Sequence, residues 1–102
     1  MIHVVAVITA KPGRRENVLA HFLANVPAVR AEKGCIEYVA CVDAQPPLEL
    51  QAAYGPDTFV VVEKWETRES LLAHAAAPHM AAYASKTREL VATRLIHVLQ
   101  SA

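Results

Sequence analysis

No surplus of charge of either sign marks this sequence: ten lysines and arginines stand against ten aspartates and glutamates. The densest basic cluster is Lys11 to Arg15, and no acidic tail follows, so the electrostatic footprint of a nucleic-acid partner is missing. Long apolar runs are missing as well. Residues 1–10 lack the basic region, apolar stretch and cleavage site of a signal peptide, and no run is long enough to span a bilayer. A cytoplasmic protein with no membrane partner is expected. Cysteine is scarce: Cys35 and Cys41 lack CxxC spacing, and two residues six apart in one extended strand are too distant to bridge. Buried thiols are expected. There is no glycine-rich phosphate loop, no nucleophile elbow and no dinucleotide fingerprint, so an enzyme built on this chain would work without a nucleotide cofactor of the usual kind.

What is present is a repeating order of elements. The length suits one domain, residues 1–102, that buries on the order of two-thirds of its unfolded surface. Residues 2–8, IHVVAVI, are β-branched and apolar, and stop at the turn signal Lys11-Pro12-Gly13. From Arg14 to about Lys33, Val18, Leu19, Phe22, Leu23, Val26 and Val29 recur at helical spacing, with Pro27 expected to kink the helix and Gly34 to end it. Residues 35–43 and Phe59 to Trp65 read as two further strands, separated by a long Pro- and Gly-bearing loop from Ala44 to Asp57. Thr67 is placed to cap a helix running through Leu71, Leu72 and Ala75. Pro78 then starts another, whose apolar spacing runs through Met80, Ala84, Thr87 and Val91 before a last strand at 95–99.

This βαββαβ order matches an α+β, ferredoxin-like fold, an antiparallel sheet with helices on one face. Val5 and Val7 alternate with Val4, Ala6 and Ile8, and Val60 and Val62 with Phe59 and Val61, so both sheet faces are apolar. Helices cover only one of them. The other is an association surface, and a homodimer through sheet faces is expected.

Two histidines in HAAAPHM, residues 74–80, are the candidates for chemistry. A helical zinc pair sets its histidines four apart on one helix with a glutamate between them. Here the spacing is five, no carboxylate intervenes and Pro78 breaks the helix; no metal site is expected. His74 follows Leu71 by three residues and so faces the sheet, where an imidazole needs a partner or a ligand. It is either a base or a satisfied half-buried side chain. His79 lies in the first turn after Pro78, where the helix dipole favours the neutral ring. It either shares the acid-base work or only completes the helix start. Trp65 shares a strand face with Phe59, Val61 and Glu63, and Tyr83, four residues after His79, points a hydroxyl toward the same space.

Strand one running into AKPG, FLANVPAVRAEKGCIEY at 22–38, FVVVEKWET at 59–67 and LLAHAAAPHMAAY at 71–83 together resemble the antibiotic biosynthesis monooxygenase domain family, which includes small bacterial quinol monooxygenases. The resemblance covers nearly the whole chain. It implies a dimeric ferredoxin-like fold, in a barrel-type assembly, with a pocket between helices and sheet that holds Phe22, His79 and Tyr83. Relatives include oxygenases of phenols or quinols that use neither metal nor flavin, heme-degrading enzymes, and an isomerase of a phosphorylated sugar. The heme-holding residues of the second group fall at Ala6, His74 and about Ala84, and none is kept. The oxygenases' strand-three tryptophan matches Trp65, while their asparagine becomes Val61 and a strand-two histidine becomes Cys41. The resemblance thus implies a cofactor-independent monooxygenase of a quinol or phenol, with dioxygen as co-substrate, His74 and Trp65 catalytic, and Cys41 and Val61 in the pocket. An isomerase or tautomerase of a small phosphorylated metabolite, with Arg88 or Lys86 as anchor, and a non-catalytic dimeric binding domain are the alternatives.

Overall fold

A computed structural model describes residues 1–102. The elements run β1 (Ile2–Ala10), α1 (Arg15–Arg30), β2 (Cys35–Cys41), β3 (Thr58–Trp65), α2 (Arg68–Ala75), α3 (Pro78–Thr87) and β4 (Val91–Leu99). The strands form one sheet in the order β2-β3-β1-β4, with every neighbouring pair antiparallel. This is the expected βαββαβ arrangement.

Alternation along the central strands decides what the helices cover. Ile2, Val4, Ala6, Ile8 and Ala10 of β1, and Phe59, Val61, Glu63 and Trp65 of β3, point into the helical layer and are buried. They meet Val18, Phe22 and Val29 of α1 there. Each large side chain removed from water in this way contributes roughly 1.5–3 kcal/mol. On the opposite face, Val39, Val62, Val5 and His97 form one row across the sheet, and Cys41, Val60, Val7 and Leu95 the next. Leu95 is 58% exposed, so this second apolar face is uncovered in the isolated chain.

Several boundaries differ from those expected from the sequence: β1 runs on to Ala10, α1 ends at Arg30 rather than near Lys33, and β2 ends at Cys41 rather than at residue 43. The last helix ends at Thr87, whose hydroxyl donates back to the Tyr83 carbonyl, and Val91 belongs to β4 instead. The last strand therefore begins four residues before the expected Leu95, because β1 continues to Ala10 and pairs with Val91 across a bulge at Thr9/Ala10. Pro27 sits within α1 without ending it.

The short turn after α1 fixes the position of everything downstream. Gly34 adopts φ +85°, a conformation that costs a residue bearing a Cβ. Its carbonyl accepts from Glu66 N at 2.9 Å, tying the turn to the β3–α2 junction. Thr67 caps α2 by accepting from Ser70 N at 3.1 Å, which brings Ser70 against Gly34. A Cβ at position 34 would stand 2.6 Å from the Ser70 Cβ and overlap its hydroxyl. Gly34→Ala is expected to destabilise the fold by about 1–3 kcal/mol, since both the left-handed backbone and the clash oppose it. Urea unfolding measures this, and a stability equal to that of the natural chain would contradict the close approach.

Candidate active site

Helix α2 is eight residues long, and its last turn directs His74 at the sheet. The ring packs on Trp65, with centroids 4.6 Å apart, and meets Tyr38 edge-on at 5.5 Å. Nδ1 lies 2.7 Å from Oε2 of Glu32, in the turn after α1. An ionised carboxylate can only accept, so Nδ1–H donates, and in the neutral ring Nε2 is left with a free lone pair. Nε2 has no hydrogen-bond partner in the chain and is not sealed from solvent.

That ring forms part of the wall of a cavity of about 370 Å³ between the helices and the sheet. Phe22 of α1, Val61 of β3 and Tyr83 of α3 line it, together with Met80 and Ile96. Phe22 stacks on Tyr38 at 5.1 Å and meets Tyr83 edge-on at 6.2 Å, so an aromatic cluster braces the interior. The wall is mostly apolar. Its polar groups are His74, Glu63, the hydroxyls of Tyr38 and Tyr83, and Arg94 of β4.

Trp65 belongs to the layer behind this wall. It is fully buried and absent from the cavity lining, and its Nε1–H donates to Glu63 Oε1 at 2.9 Å. It touches His74 and Glu63, two of the polar groups that do face the cavity, and so positions them. His79 is displaced into a separate depression between α1 and α3, which it lines with His21, Asn25 and Lys86. Its Nε2 is 3.5 Å from the same Glu32 Oε2, and neither ring nitrogen has a hydrogen-bond partner. Cys41 lies outside the cavity. It is paired with Val60 on the outer sheet face and borders a different hollow under the long loop, because three residues separate it from inward-facing Tyr38 and an odd offset reverses the face. No group of three or more His, Cys, Asp or Glu side chains is arranged to hold a metal ion.

Three contributors were not legible as site residues: Glu32, Glu63 and Tyr38. Glu63 had a signal, being the one charge on the inward face of β3. Burial pushes its carboxyl above the usual range; the Trp65 hydrogen bond and nearby His74 pull it back, and Glu32 adds to the rise. Burial also raises the Tyr38 phenol, and pushes that of Tyr83 up to about 12 against the opposing pull of Arg94.

The family profile described as antibiotic biosynthesis monooxygenase matches residues 1–86. The chain belongs to this family. Among its relatives in that family, the Escherichia coli K12 protein named "Probable quinol monooxygenase YgiN" is 37% identical, with 98% of this chain and 97% of the relative covered. The crystal structure of PA3566 from Pseudomonas aeruginosa is 25% identical, with a TM-score of 0.82 over 99% of this chain and 93% of that one. A conserved protein from Methanosarcina mazei is similar in fold, with a TM-score of 0.83 at 20% identity over 99% and 92% of the two chains.

The raised Glu63 carboxyl has a consequence for stability. The folded chain holds this proton more tightly than the unfolded chain, so stability falls as pH rises from the ordinary glutamate range through the raised one. Glu63→Gln keeps an acceptor for Trp65 and removes that fall. Urea unfolding of both proteins from about pH 4 to about pH 8 is expected to show the variant gaining on the natural chain as pH rises; parallel curves would contradict the buried charge.

Proposed function

We propose that the protein is a monooxygenase of quinols or related phenols, needing no cofactor, and that it works as a homodimer joined through the uncovered sheet faces. The observation that carries this reading is the Glu32–His74 pair, 2.7 Å apart, set in the wall of an apolar cavity. The name of the Escherichia coli relative supports the substrate class.

The chemistry follows from the pair. His74 Nε2 takes the proton of a phenolic hydroxyl, and Glu32 stabilises the imidazolium that forms while fixing the ring's orientation. The anion left on the ring is electron-rich enough to give one electron to dioxygen. Superoxide and the ring radical then join at a ring carbon, and loss of water leaves a hydroxyquinone. One quinol and one dioxygen thus give one hydroxyquinone and one water. The protein supplies proton removal, orientation by the aromatic walls, and a surrounding of low water content that limits quenching of the intermediates.

Oxygen uptake with a quinol and no added metal, with heavy oxygen from labelled dioxygen entering the product, is the expected result, from a species of twice the chain's 11.1 kDa in sedimentation. His74→Ala should lose a hundredfold or more of the rate, on the order of a general base's contribution, and Glu32→Gln a smaller share. Full turnover in His74→Ala would remove it as the base. Deuterium exchange from solvent into the substrate without oxygen uptake would favour an isomerase instead.

A further inference from the structure

The cavity is electrically one-sided. His74, Tyr38 and Glu63 gather where β3 runs beside Val4, since Glu63 pairs with Tyr38 on one side and with Val4 on the other. Arg94 pairs with Ile8, four residues further along β1. That offset is roughly 13 Å along the strand direction. Between the two ends the lining is apolar: Val61, Phe22, Met80 and Ile96.

Arg94 is the only arginine, lysine or acidic residue in β4, and the register turns its side chain to the cavity face. It also borders a neighbouring hollow of about 280 Å³, which shares Ile8, Tyr83 and Ala84 with the main cavity and contains Arg88. Neither arginine forms an ion pair with any carboxylate of the chain. Arg94 thus stands at one end of the apolar cavity, with Tyr83 on the same wall, and Arg88 in the adjoining hollow; both arginines are exposed and free of ion pairs. The lining's single carboxyl group, Glu63, lies at the other end. Guanidinium groups match the planar two-oxygen geometry of a carboxylate.

We propose that Arg94, with Arg88 in support, is the anchor for a carboxylate on the substrate, so that the ligand class is a phenolic acid whose acid group lies across the ring system from the reacting hydroxyl. This rests on the proposed oxidation of phenols at the same site. The arginine end binds the acid, the aromatic walls hold the ring, and the hydroxyl is delivered to His74. A neutral quinol fills the cavity without using this anchor, and an acid group beside the hydroxyl cannot reach both ends.

Binding without oxygen tests the anchor separately from turnover. Anaerobic calorimetry compares para-coumarate, its neutral methyl ester, and ortho-coumarate, which has the same charge with the hydroxyl beside the side chain. Para-coumarate is expected to bind about tenfold or more tightly than either. Arg94→Gln should abolish that advantage and Arg88→Gln should reduce it, while Lys86→Gln, which removes the same charge from a different depression, should leave it intact. Equal binding of acid and ester, an advantage that survives in Arg94→Gln, an equal loss in Lys86→Gln, or no binding of para-coumarate would each overturn the proposal. Absence of oxygen uptake with a bound acid would instead count against the oxygenase reading and leave the anchor standing.

Discussion

A single hydrogen bond, between His74 and Glu32, joins two parts of the chain 42 residues apart and determines what the cavity can do. Without the carboxylate, the imidazole at the end of α2 would be a buried polar group with no fixed tautomer. With it, one nitrogen is committed to Glu32 and the other is left for a ligand. The contact depends in turn on the turn at residues 31–34. Gly34 accepts the left-handed backbone there and lets Ser70 approach, and its carbonyl holds Glu66 N. The same short segment therefore ends α1, orients α2 and supplies the carboxylate.

The aromatic core does the rest of the positioning. Trp65 is enclosed behind the cavity wall and touches both His74 and Glu63, by tilted ring contact with one and a hydrogen bond donated to the other. Phe22 and Tyr38 stack over the neighbouring wall. A proton-abstracting group works best when its surroundings are rigid and dry, and side chains locked by such packing meet both needs. His79 Nε2 lies 3.5 Å from the same carboxylate oxygen that accepts from His74, so two imidazoles stand near Glu32 Oε2.

The strands, their faces and the helix starts were legible because they depend on local pattern. Alternation in IHVVAVI and FVVVEKW separates inward from outward residues, and Thr67, Pro78 and Gly34 act within one turn of their own positions. The beginning of β4 was not legible, since Val91 is a strand residue by virtue of pairing with Ala10, far away in the chain. The site divides along the same line. His74, Phe22, Val61 and Tyr83 project from regular elements whose faces the periodicity reveals. Glu32 sits in a turn and acquires its role only through a tertiary contact. Cys41 was placed by likeness to relatives, and the alternation counted from Tyr38 would have put it on the outer face. Trp65 was rightly placed on the inward face of β3, but strand alternation alone does not distinguish a side chain in a cavity wall from one just behind it.

The two faces of the sheet thus divide the work between a cavity on the helical side and an uncovered apolar surface on the other. What sets the chemical character of the cavity is the imidazole's orientation, and this can be observed directly. Long-range nitrogen-proton correlation spectra of the free protein at about pH 8, above the ordinary imidazole range, report which nitrogen of His74 carries the hydrogen. Hydrogen is expected on Nδ1 with Nε2 bare, and that preference is lost in Glu32→Ala. Hydrogen found on Nε2, or a spectrum unchanged by the substitution, would contradict this assignment.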